Sequence, residues 1–372
     1  MDRCDVLIVG GGPAGSSCAW KLQRAGLDVV VLDKKSFPRD KVCAGWVTPA
    51  VVRTLQLDVE SYGRDHVCQQ ITGFRVGRIG GPDPLEVHYG EPASFGILRN
   101  QFDAFLLRRS GARLRLGEPV RSLVRRDGTW TVNDAIEAPM LVGAGGHFCP
   151  VARYLGARVG QEVVVAAQEV EFLMSPGQAA HCGVRREMPE LYFCGDLSGY
   201  GWCFRKGDHL NIGLGREDAQ GLSGHVRSFL RFLKERKRIP SDVPDHAQGH
   251  AYILYGHARR RVVDEGVLLV GDAAGLAYPQ SGEGIRTAVE SGVLAASAIA
   301  GAQQYDQSGL QRYEQRIRDR FGKPGESNAW GSLLPDRLKQ AIAGTLLRIP
   351  WFARHVVLDR WFLHRQEPAL TA

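Results

Sequence analysis

Apolar and polar residues along the chain alternate between two rhythms. Residues 5–9 are a short apolar run, 10–15 a glycine-rich turn, 16–25 have helical spacing, Gly26 stops that helix, and 27–32 is an unbroken β-branched run. A continuous apolar run bounded by turn residues is what a strand buried on both faces of a parallel sheet requires; an amphipathic helix instead places apolar residues every three or four positions. The strand pattern returns at 138–142, ahead of Gly143-Ala144-Gly145-Gly146, and at 267–270, ahead of Gly271-Asp272. Helical spacing is predicted over 49–55, 100–110, 222–237 and an alanine-rich 284–299. Weak alternation with many glycines and prolines at about 70–97 predicts strands of a second region, and 114–132 reads as strand and hairpin. From 158 to 260 alternating strands dominate, at 162–172, 192–194 and 209–215, with the basic helix 222–237 as their one interruption; residues 305–372 read as helical.

The first turn carries Gly10, Gly12 and Gly15 between a strand and a helix. Gly10 makes the turn, Gly12 lets backbone approach a pyrophosphate, and Gly15 lets helix and strand pack closely. The helix start offers unpaired N–H groups and positive dipole to phosphates. Asp33 ends the next strand, where a carboxylate accepts ribose hydroxyls. Together these elements predict dinucleotide binding without separating FAD from NAD. The second motif separates them. Asp272 stands at a strand end to hold a ribityl or ribose hydroxyl, and Pro279, Gly282, Glu283, Gly284 and Ile285 lead into a helix. Amides at Gly284 and Ile285 are expected at the flavin pyrimidine edge, where reduction places negative charge. Glu283 is expected to order the loop. Candidate cofactor contacts are therefore Gly10, Gly12, Pro13, Ala14, Gly15, Asp33 and Lys34 at one end, and Gly271, Asp272, Gly282, Gly284 and Ile285 at the other.

The fold class predicted is α/β: a Rossmann-type FAD-binding domain with an interleaved antiparallel β-sheet substrate domain and a C-terminal helical region. The FAD-binding domain is discontinuous, over 1–72, 97–157 and 258–304; the substrate domain takes 73–96 and 158–257, and 305–372 the helical region. With 372 residues, no internal repeat and no low-complexity linker, two joined domains are the natural division.

Composition adds a few constraints. The chain is 44% hydrophobic and 23% charged, ordinary for a globular protein. The net charge of +7 suits anionic ligands such as pyrophosphates or acidic lipid surfaces, and with no recognised nucleic-acid motif, nucleic acid is not an expected partner. Eight cysteines form no CxxC pairs, so no metal site is expected and a reduced, cytoplasmic setting fits. The opening residues run straight into a strand without a signal peptide, and no apolar stretch approaches the ~20 residues of a membrane span. The expectation is a soluble or membrane-peripheral protein. Within 345–365, Leu346, Leu347, Ile349, Trp351, Phe352, Trp361 and Phe362 mix with Arg348, Arg354, Arg360 and Arg365. That combination suits an anionic membrane surface and equally a helix covering the catalytic domain.

The stretch from Gly271 to Gly284 resembles the second FAD motif of the flavoprotein monooxygenase and reductase superfamily, which includes p-hydroxybenzoate hydroxylase-like enzymes, flavin halogenases and geranylgeranyl reductases. Within it, Tyr200-Gly201-Trp202-Cys203-Phe204-Arg205-Lys206, followed by Asn211-Ile212-Gly213-Leu214-Gly215, resembles the YxWxFP stretch of geranylgeranyl reductases. Lys41-x-Cys43-Ala44-Gly45 resembles their cysteine-glycine loop near the flavin, and the resemblance spans about residues 4–300. It implies cofactor contacts at Lys41, Cys43, Ala44, Arg99 and Gly145, with Arg99 resembling the arginine that reaches toward the pyrophosphate by forked hydrogen bonds. Two departures stand out. Arg205 replaces the usual proline, and Gly145 replaces an aspartate associated with NADPH use in the hydroxylases, although Arg153 still follows.

The resemblance implies a reductase of carbon–carbon double bonds in an apolar polyprenyl or related substrate. Cys43 is its candidate proton donor, and equally a small buried hydrophobe or a tuner of the flavin. Tyr200 and Trp202 are expected to line the substrate cavity or the core, and His147 and Cys149 to reach the site or simply to be hydrogen-bonded. An external reductant (NAD(P)H, ferredoxin or reduced flavin), from a donor protein where one is used, must reload the flavin. A monooxygenase is the alternative, weakened by Gly145. A halogenase is disfavoured because residues 70–90 contain no lysine, and a non-catalytic flavin-binding protein is the reading from another class.

Overall fold

Six strands form a sheet in the order Val263–Asp264, Val267–Leu269, Met140–Gly143, Val6–Val9, Val29–Asp33, Arg113–Leu116. All neighbours run parallel except the antiparallel edge pair of Val263–Asp264 with Val267–Leu269. The apolar runs of Val267–Leu269, Met140–Gly143, Val6–Val9 and Val29–Asp33 are buried on both faces, as parallel sheets demand, while the edge strand Arg113–Leu116 is partly exposed. The computed structural model describes residues 1–158, 162–257, 260–323 and 336–371, apart from the side chains of 336–339. Residues 258 and 259, where the third segment of the FAD-binding domain is expected to begin, lie outside the described residues, as do 324–335 and 372 of the C-terminal region.

The helix Pro13–Arg24 begins earlier than the spacing predicts, because proline at its start has no N–H to lose and a pre-set φ. The following strand begins at Val29 rather than 27. Leu27 N–H donates to Leu22 O across Gly26 (φ +84°), so Leu27 belongs to the helix stop. Helix Ile285–Ala300 lies against Pro13–Arg24 so closely that a Cβ on Gly292 would stand 2.3 Å from Ala14 O. The carboxyl ends of the central strands therefore open onto two helix starts, which in open α/β sheets makes the ligand crevice.

The second large sheet has seven strands in the order Gln248–Tyr252, Val165–Leu173, His209–Arg216, Gly199–Lys206, Glu190–Phe193, Gly73–Arg78, Leu85–His88. It is antiparallel except where Gly73–Arg78 meets Glu190–Phe193. Its register sets Trp202 opposite Gly213, and Asn211 opposite both Phe204 and Glu171. A three-stranded sheet of Trp46–Val47, Ser94–Ile97 and Cys68–Ile71 sits beside it.

Three short helices escape the periodicity reading: Val59–Asp65, Pro150–Tyr154 and Pro176–His181. The last corrects the expectation that a single helix interrupts the strands of 158–260. It carries a capping box in which Ser175 Oγ accepts from Gln178 N–H and Gln178 returns the bond, a signal readable in sequence.

The C-terminal region contains Gln307–Phe321, Asp336–Leu346, Pro350–Phe352 and a wide-turned helix Ala353–Phe362. Ala353, Val357, Leu358, Phe362 and Leu363 are buried against a cluster holding Trp46, Phe74 and Phe204, so this part covers the globule. Ile349, Trp351, Arg348 and Arg354 remain exposed. Among the described residues no helix is long and apolar enough to cross a membrane.

Candidate active site

A cavity of about 560 Å³ lies between the carboxyl edge of the parallel sheet and one face of the seven-stranded sheet. Ligand pockets are commonly of this size. Gly10, Gly12, Pro13, Ala14, Asp33 and Lys34 of the first turn and its strand line this cavity, and Lys41, Cys43, Ala44, Arg99, Gly145 and His147 line it too. Asp272, Gly282, Gly284, Ile285, Tyr200 and Trp202 line the other side. Two predicted contacts do not reach the cavity. Gly15 stands behind it, where a Cβ would lie 1.9 Å from Gly10 O; Gly271, at φ +58°, packs against Ala14 and Ala288. Both are needed for close approach of elements rather than as lining. Cys149 is likewise fully buried and outside the lining, its thiol pushed up by burial.

The first turn is braced by Asp33, whose carboxylate accepts from Gly11 N–H (2.7 Å) and Lys35 N–H (2.9 Å). The helix after Gly12 has no side-chain cap and no acidic residue in its first turn, so its leading amides face the cavity without an internal anion. This end fits a pyrophosphate. Arg99 lines the cavity while its guanidinium forks onto Asp103 at 2.8 and 2.7 Å, with Arg39 at 3.4 Å from the same carboxylate.

At the second turn Glu283 Oε1 accepts from Arg286 N–H (2.7 Å), so the glutamate orders the loop by capping its own helix. Its other carboxylate oxygen is buried without a partner, and burial pushes the acid up to about 7. Asp272 is grouped with two residues from elsewhere in the fold. Lys41 Nζ stands 2.6 Å from His250 Nε2, which is 3.7 Å from Asp272 Oδ2. Burial would raise the Asp272 acid, but the His250 hydrogen bond and the Lys41 charge hold it at about 2. Burial lowers Lys41 to about 8, against the pull of Asp272.

Cys43 sits on a loop whose backbone is received by the second sheet. Cys43 N–H donates to Glu169 Oε1 (2.8 Å), Asn211 Nδ2 donates to Cys43 O (3.2 Å), and Lys206 Nζ donates to Ala44 O (3.1 Å). Gly45, at φ +68°, leaves room that a Cβ would take, 2.2 Å from Ile97 O and 2.6 Å from Lys206 Nζ. The aromatic wall is Trp46, Tyr200, Trp202, Tyr252 and Phe362. Tyr200 OH donates to Ser281 O, and Trp202 Nε1 donates to Asn211 Oδ1. His147 is 3% exposed and pinned between Arg260 (3.3 Å) and Glu162 (4.0 Å); burial and the Arg260 charge lower its pKa.

Sequence reading misses Glu169, Lys206, Asn211, His250, Tyr252 and Phe362. Lys206 and Asn211 lie inside quoted motifs, but no local pattern tells which face a strand residue takes when both faces are buried. Among the described residues no His, Cys, Asp and Glu cluster could hold a metal ion.

One compartment thus brings together an uncapped glycine-turn helix start, a second turn at an aspartate-ended strand and an apolar aromatic wall. A profile described as FAD dependent oxidoreductase matches residues 5–76. The chain is an FAD-dependent oxidoreductase. It is 31% identical over 347 residues to menaquinone reductase of Mycobacterium tuberculosis, covering 87% of this chain and 81% of the relative. It is 30% identical over 371 residues to digeranylgeranylglycerophospholipid reductase 2 of Methanothermobacter thermautotrophicus, covering 93% and 91%. A solved geranylgeranyl bacteriochlorophyll reductase-like protein of Thermoplasma acidophilum shares the fold, with TM-score 0.77 at 20% identity over 98% of both chains. The halogenase PltM shares it more distantly, with TM-score 0.69 at 17% identity over 97% of this chain and 82% of its own. The chain belongs to the geranylgeranyl reductase family of FAD-dependent oxidoreductases.

Proposed function

We propose that this protein reduces carbon–carbon double bonds in the isoprenoid chain of an apolar lipid. The observation that carries the reading is the continuity of the aromatic wall with the Cys43 loop: Trp46 follows that loop directly and stacks on Phe362 within the same cavity. In this reading Gly10, Gly12, Pro13, Ala14, Asp33 and Lys34 hold the adenosine and pyrophosphate half of FAD. Asp272, Gly282, Gly284 and Ile285 hold the flavin half. Bound FAD, when reduced, supplies a hydride to one alkene carbon. Trp46, Tyr200, Trp202 and Phe362 orient the chain and exclude water. The Cys43 thiol, half-buried beside them, gives its proton to the second carbon.

In this reading an external donor, NAD(P)H, ferredoxin or reduced flavin, reloads the flavin. Exposed Ile349 and Trp351, flanked by Arg348 and Arg354, rest on an anionic bilayer from which the lipid is drawn. That contact supports, without requiring, the chemistry.

The test is anaerobic incubation of the reduced holoenzyme with a digeranylgeranyl glycerophospholipid and, separately, with menaquinone, followed by product mass. Gain of a hydrogen pair in the isoprenoid chain without oxygen is the expected result. A product that forms only in oxygen and carries an oxygen atom would overturn the reading in favour of a monooxygenase.

A further inference from the structure

Asn211 is fully buried on strand His209–Arg216, outside the cavity lining, and its amide faces two walls of the cavity at once. Its Oδ1 accepts from Trp202 Nε1 at 2.6 Å. Its Nδ2 stands 3.2 Å from Cys43 O, 3.1 Å from Glu171 Oε1 and 3.3 Å from Glu169 Oε2. The orientation of the amide is fixed by chemistry. An indole N–H only donates and a backbone carbonyl oxygen only accepts, so turning the amide over would lose the bonds to Trp202 and to Cys43 O.

The two walls come from opposite parts of the chain. Trp202 belongs to the strand beside Asn211, whereas Cys43 belongs to a loop 168 residues away. Among the described residues no hydrogen bond joins Trp202 to Cys43. The ring reaches Asn211 because Gly213, opposite Trp202, has no side chain: a Cβ there would stand 2.2 Å from the indole. The loop reaches it because Glu169 and Lys206 take the neighbouring backbone groups, Cys43 N–H and Ala44 O. Three adjacent strands thus grip one short loop, and one amide in that grip also holds the aromatic wall. In a buried network each group's placement depends on the others being satisfied.

We propose that Asn211 is a positioning residue that sets the Cys43 loop and the Trp202 ring relative to each other. The distance between the candidate proton donor and the ring that orients the substrate is then governed by a side chain touching neither substrate nor flavin. The relative placement of the two walls is the same for a polyprenyl lipid or a prenylated quinone. Only its catalytic consequence rests on the function proposed above.

The experiment uses FAD-loaded protein in four forms: wild type, Asn211→Leu, Trp202→Phe and the double variant. The first readout is the rate of Cys43 alkylation by iodoacetamide, followed by peptide mass spectrometry so that Cys68 and Cys182 are scored apart. Asn211→Leu frees the loop and is expected to raise that rate about tenfold. Trp202→Phe removes the indole N–H together with the fused five-membered ring, keeps an aromatic ring on the cavity wall, and is expected to raise it about threefold through the loosened amide. The double variant should match Asn211→Leu alone, since both changes act through one group. Additive effects, or a Cys43 rate unchanged by Trp202→Phe, would overturn the proposal.

The second readout is turnover of reduced flavin with a prenyl lipid. Misplacement by an ångström can cost on the order of a hundredfold, so kcat in Asn211→Leu should fall by about that factor with KM within about twofold. If Asn211→Leu does not fold, Trp202→Phe still decides, because it leaves the amide and the strand pairing in place. If alkylation responds as expected but no variant or wild type turns over the lipid, the reductase assignment fails while the positioning claim survives.

Discussion

Around Gly10, Gly12 and Asp33 the cavity wall is backbone, braced by contacts within a single strand–turn–helix–strand unit: Asp33 reaches Gly11 across 22 residues. Around Cys43 the wall is a loop held by side chains 126, 162 and 168 residues distant in the chain. The first end is specified by where glycine must be, since a phosphate needs amides brought close and nothing else in the way. The second is specified by which polar side chains meet beneath the surface. A cofactor common to a whole superfamily needs only the first kind of construction. Contacts of the second kind can be altered without disturbing the first, and it is these that face the aromatic wall.

That contrast can be broken by experiment, most severely at Gly10. Its φ of +114° is a glycine conformation, and a Cβ would lie 2.3 Å from Ala144 O. Gly10→Ala should cost on the order of 3 kcal/mol and yield protein without bound flavin, read from visible absorbance per chain. Cys43→Ala should do the opposite, keeping full flavin content while slowing anaerobic product formation by about a hundredfold. If Cys43→Ala lost its flavin as Gly10→Ala does, the two ends would not be separate constructions.

Asp33→Ala is a gentler change at the first end. It removes the acceptor for two backbone amides and should weaken FAD about tenfold to a hundredfold in a titration of apoprotein, with kcat at saturating FAD unaltered. A fall in kcat at saturation would tie this end to the chemistry.

The smallest effect is one of pH. Glu169 is buried beneath the Cys43 loop, and burial raises its acid from 4.5 to about 7. The folded state therefore holds a proton that the unfolded state has released, so stability is greatest below the unfolded value and declines as pH rises from about 4.5 through about 7. Glu283 acts in the same direction for the same reason. Glu169→Gln should flatten part of the decline, measured as urea midpoints at about pH 5 and about pH 8; parallel curves for variant and wild type would contradict the assignment.

The same contrast explains what could be read from the sequence. The strands at Val6–Val9 and Val267–Leu269, the turn glycines, Asp33 and Asp272 announce themselves through local spacing, because their function is a property of local backbone. Gly15 and Gly271 carry the same spacing, yet one lies behind the turn and the other in packing, since a motif marks a fold corner and not each lining atom. Asn211 and Lys206 are visible only as polar residues in an apolar strand. Their partners are set by strand register, which a sheet buried on both faces does not encode in alternation. His250 is paired with Lys41 across 209 residues and carries no local mark at all. The C-terminal segment, legible as basic and aromatic, divides in the fold: Val357, Leu358 and Phe362 are core, while Ile349 and Trp351 face outward. Composition alone does not make that division.

The most direct measurement is the reoxidation of dithionite-reduced holoenzyme, followed by flavin absorbance in strictly anaerobic solution as a digeranylgeranyl lipid is added. A joint reductase site requires the lipid to accelerate reoxidation, with an equivalent amount of saturated product appearing as the flavin colour returns. Flavin that stays reduced until oxygen is admitted, with the lipid bound but unchanged, would contradict it.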